Sequence, residues 1–211
     1  MTRNNTDILV EVRKAYRLLF DYQAKLLGLV KYIGGNFGYT YKGGLPKFSA
    51  NQPRLGHGSL DNWAWDWLNL YFHEFYFGDK IDAAGNKLTF SVFILADDGY
   101  FQTLENNEAD FKRLNVDKFE KVEFSKSKLI LVVGHNCWTV NAFFCENNWC
   151  NKHFTLEEKG LHKDEAGKMF FKSYALENFF EEHDAKKQLE DFEKECNLLG
   201  IPFNQIEVKV G

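Results

Sequence analysis

The sequence predicts an α+β protein in which residues 1–211 form a single domain. Its mainly antiparallel sheet is expected to carry a long N-terminal helix and a C-terminal helix packed on it. Three observations lead to this prediction: an apolar stripe with helical spacing opens the chain, strand-like segments joined by turn residues fill its middle, and a second amphipathic stripe lies near its end. The chain has only three prolines, and no linker suggests a second domain.

The first predicted element is a helix over residues 7–33. Apolar side chains recur there every three or four residues, at Ile8, Val12, Ala15, Tyr16, Leu19, Tyr22, Leu26, Val30 and Ile33. This spacing places them on one helical face, and Gly34-Gly35 is expected to end the helix. We predict that the helix packs across the sheet and that Leu19 belongs to the core.

The glycine-rich stretch 34–59 is interpreted as a long covering loop, because it matches neither the Walker pattern nor G-x-G-x-x-G. Strands are expected at 68–77 and 87–96, with Gly85-Asn86 in the hairpin turn between them. Asp98-Gly99 predicts a second tight turn, into a strand over 100–104.

The second half of the chain contributes the centre of the sheet and the last helix. The apolar run 128–133 is typical of a central strand and places Val133 in the core, and another strand is expected at 168–175. A helix is expected to begin at Asp184 and to end before Gly200 and Pro202. Its predicted buried stripe consists of Leu189, Phe192, Cys196 and Leu199.

Aromatic residues make up 17% of the chain. Residues 63–77 carry rings at both parities of a strand, so such a strand must have both faces covered. Helices on both sides of the sheet would satisfy this need, as would a partner on one face. The excess of rings therefore indicates a ring-rich core, an interaction surface, or both.

The C-terminal helical region is strongly acidic. Residues 177–195 hold eight acidic side chains and three lysines. Their net charge of −5 is larger in magnitude than the net charge of −4 of the whole chain. An exposed acidic face can steer a basic partner, and we assign the partner-binding role to Glu182, Glu190 and Glu193. We expect a protein partner and self-association, whereas the net charge does not indicate nucleic acid.

A catalytic alternative rests on residues that follow two predicted central strands. Asp97 and Asp98 come after one strand and His135 after the other. Two carboxylates and an imidazole that met at the strand ends would hold a divalent metal and orient water, which is the chemistry of phosphodiester hydrolysis. The rival function is therefore a metal-dependent hydrolase.

A second metal hypothesis concerns Cys137, Cys145, Cys150 and His153, in the order C-x7-C-x4-C-x2-H. Three thiolates and one imidazole form a tetrahedral zinc set. The pattern resembles that of CCCH zinc fingers, C-x8-C-x5-C-x3-H, although each spacing here is one residue shorter. The resemblance implies Zn as a cofactor and a zinc-stabilised binding module.

The chain start lacks the basic and apolar regions of a secretory signal, and no uncharged apolar run approaches the length of a membrane span. We therefore expect no membrane association and a cytoplasmic location, where cysteines stay reduced. The leading functional hypothesis is an intracellular binding or regulatory protein that engages a macromolecular partner through aromatic and acidic surfaces.

Overall fold

The computed structural model describes residues 5–49, 64–68, 70–82, 84–106, 115–137, 149–163, 165 and 167–203. Within these ranges the chain forms a six-stranded antiparallel sheet and four α-helices, which confirms the predicted α+β class. None of the described helices is long and apolar enough to cross a membrane.

The sheet has the strand order β1-β2-β3-β4-β6-β5. Its strands are β1 (Gly43–Pro46), β2 (Phe72–Ile81), β3 (Lys87–Leu95), β4 (Lys128–His135), β5 (Lys159–Lys163) and β6 (Lys168–Ala175). β2 and β3 form the predicted hairpin, and β4 lies between β3 and β6. β4 therefore lies in the middle of the sheet, as predicted for the apolar run 128–133.

The four helices are α1 (Asn5–Asn36), α2 (Gly99–Asn106), α3 (Trp149–Leu156) and α4 (Glu182–Leu198). A short 3₁₀-helix, Leu176–Phe179, connects β6 to α4. Gly200 has a positive φ of 63° just beyond α4, as the sequence pattern of a helix stop indicates.

One face of the sheet packs against α4 and the C-terminal half of α1. Alternate residues of β3 point into this first core, where they meet Leu26, Val30 and Ile33 of α1 and the predicted stripe of α4. Val133 and Phe192 are both fully buried here, as predicted. The residues that β3 contributes are Leu88, Phe90, Val92 and Ile94.

The other face forms a second core with rings from outside the sheet. Phe93 and Leu95 of β3 point to this side, where Phe154 of α3 contacts Phe93 with ring centroids 5.2 Å apart. Further rings come from Phe48, Trp65, Tyr100 and Phe101. Both faces of the sheet thus carry a core: Phe72 of β2 packs in the second, and Phe75 and Phe77 pack in the first.

The structure corrects two predictions about α1. The helix continues through Gly34-Gly35 to Asn36, and the positive φ of 67° falls at Gly38. Gly34 serves packing, since a Cβ atom there would come within 2.1 Å of the Phe77 ring. Leu19 is 39% exposed and does not belong to the core. The sequence stripe is continuous, but the sheet covers only its C-terminal half.

A third correction concerns the residues after β3, which form α2 and not the predicted strand over 100–104. Asp97 Oδ1 accepts a hydrogen bond from the Gly99 backbone N–H at 2.8 Å, and the Asp98 carbonyl accepts from Phe101 and Gln102. These bonds satisfy donors at the start of a helix. Asp-Asp-Gly therefore starts a helix here and does not close a hairpin.

The predicted covering loop also differs from the structure in its first part. Residues 34–36 belong to α1, and Gly43–Pro46 form edge strand β1, which pairs with β2. Gly44 permits this pairing, since a Cβ at this position would lie 2.2 Å from the Glu74 carbonyl oxygen. The remainder, 50–59, lies outside the described residues.

Candidate functional site in the groove between α1 and α4

A surface groove of about 900 Å³ separates α1 from the beginning of α4. We call it the α1–α4 groove. Its α1 side consists of Leu18, Asp21, Tyr22, Lys25, Leu26, Gly28, Leu29 and Tyr32. Its other side consists of Phe179, Phe180, Glu181, Glu182 and Ala185.

The floor of the groove is apolar and ring-rich. Phe179 is buried, whereas the ring of the neighbouring Phe180 is 57% exposed. Tyr32 of α1 is also exposed across the groove. An exposed ring beside a concave apolar surface is a typical anchor point for a partner side chain.

The Tyr22 hydroxyl adds an unsatisfied polar atom to this wall. It is buried without a hydrogen-bond partner in the described part of the chain, and burial raises the pKa of the phenol. Buried hydroxyl groups are normally hydrogen-bonded, so this one is an unsatisfied polar atom in a residue that lines the groove.

Charge is unevenly distributed around the groove. Asp21, Glu181 and Glu182 contribute three carboxylates, and Lys25 contributes the one ammonium group among the lining residues. All four side chains are on exposed residues. The rim therefore favours a cationic ligand over an anionic one.

The structure divides the acidic residues of α4 between two flanks. On one flank, Asp191 pairs with Lys172 at 2.6 Å, and Glu195 pairs with Lys159 at 2.9 Å. Hydrogen bonds from Lys172 and Tyr174 hold the pKa of Asp191 below its ordinary value, despite the opposing effect of burial. This flank is neutralised by the lysines of β5 and β6.

The other flank carries the three residues predicted to bind a partner. Glu182, Glu190 and Glu193 follow the helical repeat together with Lys186, whose Nζ lies 3.9 Å from Glu190 Oε1. Glu182 also lines the α1–α4 groove. We call Glu182, Glu190 and Glu193 the acidic flank; their binding role remains a prediction.

The candidate catalytic residues are not brought together. In the antiparallel pair β3–β4, Leu95 is opposite Lys128, whereas Leu88 is opposite His135. Asp97 and Asp98 therefore lie beyond the end of β4 that is farthest from His135, and seven residues of strand span about 23 Å. The C-terminal ends of β3 and β4 would lie side by side only if the two strands were parallel, and they are antiparallel. This geometry therefore does not support the hydrolase hypothesis.

Asp98 and His135 have different surroundings. Asp98 is buried and forms an ion pair of 2.9 Å with Lys128, while Gln102 Nε2 and the Lys126 N–H donate to Asp98 Oδ1. His135 Nε2 is buried without a hydrogen-bond partner in the described ranges. These contacts give Asp98 a structural role at the start of α2.

The zinc hypothesis falls partly outside the described residues, which omit Cys145 and the side chain of Cys150. Cys137 packs against the second core, and His153 Nδ1 contacts Glu157. No group of three or more His, Cys, Asp or Glu side chains suited to a metal occurs in the described part of the chain. Zinc binding at Cys137, Cys145, Cys150 and His153 remains a prediction for metal analysis to test.

Sequence reasoning did not identify the groove, because its two walls are about 150 residues apart in the chain. The sequence feature that could have indicated the groove is the pair Phe179-Phe180 before an acidic helix. Two adjacent rings cannot both point into one core, so one of them is expected at the surface. Tyr22 was assigned to the buried stripe, and only the structure places this residue beside the groove.

The fold and the groove define an α+β protein with an acidic, ring-lined surface cleft. Comparison with known proteins assigns the chain to a family: it belongs to the PM0109 family, whose model matches residues 2–199. No curated protein and no solved structure matches the chain.

Proposed function

We propose that this protein is a cytoplasmic binding protein that takes an amphipathic, basic segment of a protein partner into the α1–α4 groove. The observation that carries the proposal is the combination of an exposed ring, Phe180, with the carboxylates of Asp21, Glu181 and Glu182 around one apolar cleft. A helix with apolar residues on one face and lysine or arginine beside them fits this chemistry.

The acidic flank extends the same preference along α4. Glu190 and Glu193 also border a shallow hollow of about 410 Å³ with Lys194, Asn197 and Leu198. Carboxylates at the edge of an interface increase the association rate of a basic partner, whereas the buried ring contributes most of the affinity. Glu182 belongs to both surfaces and supports their use by one ligand.

The hydrolase alternative has less support, because Asp97 and Asp98 serve the start of α2 and lie far from His135 along β4. The cytoplasmic part of the proposal rests on the use of cysteine. Within the described residues, Cys196 is buried in the first core and forms no disulfide.

A displayed library of helical peptides, selected on the full chain, tests the proposal. We expect the selected peptides to combine apolar residues at three- and four-residue spacing with lysine or arginine. Phe180→Ser should reduce their affinity at least tenfold, since an exposed anchor ring is lost. Glu182→Lys should reduce it about threefold at low salt and less at high salt.

Two matched variants control for nonspecific effects. Phe124→Ser removes another exposed ring, outside both the α1–α4 groove and the acidic flank, and Glu123→Lys makes the same charge change elsewhere on the surface. Both should bind as the unmodified chain does. Selection of acidic peptides, failure to select any, or equal binding by Phe180→Ser would contradict the proposal.

A further inference from the structure

A second cleft, of about 500 Å³, lies between α1, the segment 39–41 and β2. We call it the α1–β2 cleft. None of the α1 residues that line it also lines the α1–α4 groove, because the two sites flank opposite sides of the helix. Its volume falls within the range of small-molecule sites, about 300 to 1,000 Å³.

The floor of the α1–β2 cleft is apolar and belongs to the first core. Val30 of α1 and Phe75 and Phe77 of β2 all line the cleft and are buried. Tyr41 adds a wall, since its ring centroid lies 6.1 Å from that of Phe75 and 6.1 Å from that of Phe77. Helix and strand hold these side chains in place, so the cleft offers a ligand a preformed apolar surface.

Gly35 leaves the mouth of the cleft free of a side chain. It lies in the last turn of α1, and no described atom comes within 4 Å of the position that a Cβ would take there. The neighbouring Gly34 is needed for packing against Phe77, whereas Gly35 has neither such a contact nor a positive φ. Glycine inside a helix is less stable than alanine, and here that cost keeps the cleft open.

Charge distinguishes this cleft from the α1–α4 groove. Lys31 is the one charged residue among those that line it, and it forms no ion pair or hydrogen bond with any described residue. Lys80 Nζ, 4.0 Å from the centroid of the Tyr39 ring, adds a second ammonium group close by. The adjacent Asp79 is paired with Lys87 at 2.9 Å. An exposed ammonium group without a counter-ion, beside an apolar surface, favours an anionic ligand group.

We propose that the α1–β2 cleft binds a small amphiphile with an aliphatic body and an anionic head, namely a medium-chain carboxylate. Its body lies on Phe75 and Phe77, and its carboxylate lies at the mouth beside Lys31. The apolar floor provides most of the affinity, whereas the lysine selects the head group. The site uses neither Phe180 nor the acidic flank, so it is independent of the binding function proposed for the α1–α4 groove.

Calorimetric titration of the full chain with three amphiphiles of equal chain length tests the choice of head group. The probes are decanoate, decanol and decyltrimethylammonium, each below its micellar concentration. We expect decanoate to bind about tenfold more tightly than the cation, with decanol between them. Lys31→Glu should reverse this order. Lys118→Glu makes the same charge change at an exposed position outside the cleft and should retain it.

A pair of glycine variants on α1 tests the location. Gly35→Leu places a side chain at the mouth and should raise the dissociation constant of decanoate about tenfold. Gly28→Leu is the matched control, because Gly28 has equally open space but lines the α1–α4 groove. It should leave decanoate binding unchanged, and circular dichroism checks that α1 persists in both variants. Absence of decanoate binding, equal affinity for the three probes, no reversal by Lys31→Glu, or a loss in Gly28→Leu in place of Gly35→Leu would overturn the proposal.

Discussion

Lys47 Nζ and Glu74 Oε2 form an ion pair 2.6 Å long inside the protein, where the two side chains are 2% and 0% exposed. Ser91 Oγ donates to the other carboxylate oxygen at 3.0 Å. Lys47 follows edge strand β1, Glu74 lies on β2 and Ser91 on β3, so the contacts connect successive parts of the chain. Since buried charges are costly without partners, each group depends on the others.

Removal of one charge from this pair should destabilise the fold strongly. Glu74→Gln leaves the Lys47 ammonium buried without its counter-ion, and we expect a loss of about 3 to 5 kcal/mol in the free energy of unfolding. The double variant Lys47→Met/Glu74→Leu removes both charges and should retain more stability than Glu74→Gln. Urea unfolding measures both, and equal losses would show that the charge imbalance is not the cause.

Truncation of Phe192 tests the first core. Its ring is fully buried and contacts Phe170 and Phe203, each with centroids 5.6 Å apart. Phe192→Ala should cost about 3 to 5 kcal/mol because a cavity remains. Leu198→Ala, at a position of α4 that is 75% exposed, should change stability by no more than about 0.5 kcal/mol. Urea titration checks both values.

Stability should depend on pH through His73. Burial, together with the nearby Lys47 charge, lowers the pKa of His73 from 6.5 to about 4. The unfolded chain therefore binds a proton that the folded chain excludes, so this contribution is complete above pH 6.5 and is lost as the pH falls toward 4. The slope from this one group is at most about 1.4 kcal/mol per pH unit.

His73→Phe removes the titrating group and should flatten the pH dependence of the unfolding free energy in that interval. His162→Phe is the matched control, on β5. If the slope between pH 4 and 6.5 is the same in His73→Phe and in the unmodified chain, another group causes it.

The two carboxylates after β3 should differ in their importance for stability. Asp98→Ala removes the counter-ion of Lys128 and two further acceptor contacts, and it should cost about 3 to 5 kcal/mol. Asp97→Ala removes one bond at the start of α2 and should cost about 0.5 to 2 kcal/mol. Thermal unfolding compares them, and equal costs would contradict the structural roles assigned here.

Sequence periodicity predicted those parts of the fold that depend only on local sequence. The hairpin of β2 and β3, the central position of β4 and the buried stripe of α4 all follow from local spacing and turn residues. The prediction of a strand at 100–104 was wrong because Asp97 and Asp98 are compatible with either a turn or the start of a helix. The hydrogen bonds that they make to the following residues decide between the two.

The burial of α1 could not be predicted from its stripe alone. Leu19 and Leu26 are equivalent in the sequence pattern, yet one is 39% exposed and the other 1%. The difference depends on how far the sheet extends under the helix, which is a tertiary property. The same limit applies to the groove, since Tyr22 and Phe180 come together only after α1 and α4 have packed.

The order of strands in the sheet has a consequence for how the chain acquires its structure. β1, β2, β3 and β4 pair with their neighbours in sequence, and β6 pairs with β5. Among the strands that the structure describes, only the β4–β6 contact joins two that are not consecutive. Consecutive order does not make these closures equally short: five residues connect β2 to β3, whereas 32 residues separate β3 from β4 and 32 separate β4 from β6. Because shorter closures cost less chain entropy, we expect the β2–β3 hairpin to form early and both pairings of β4 to form later.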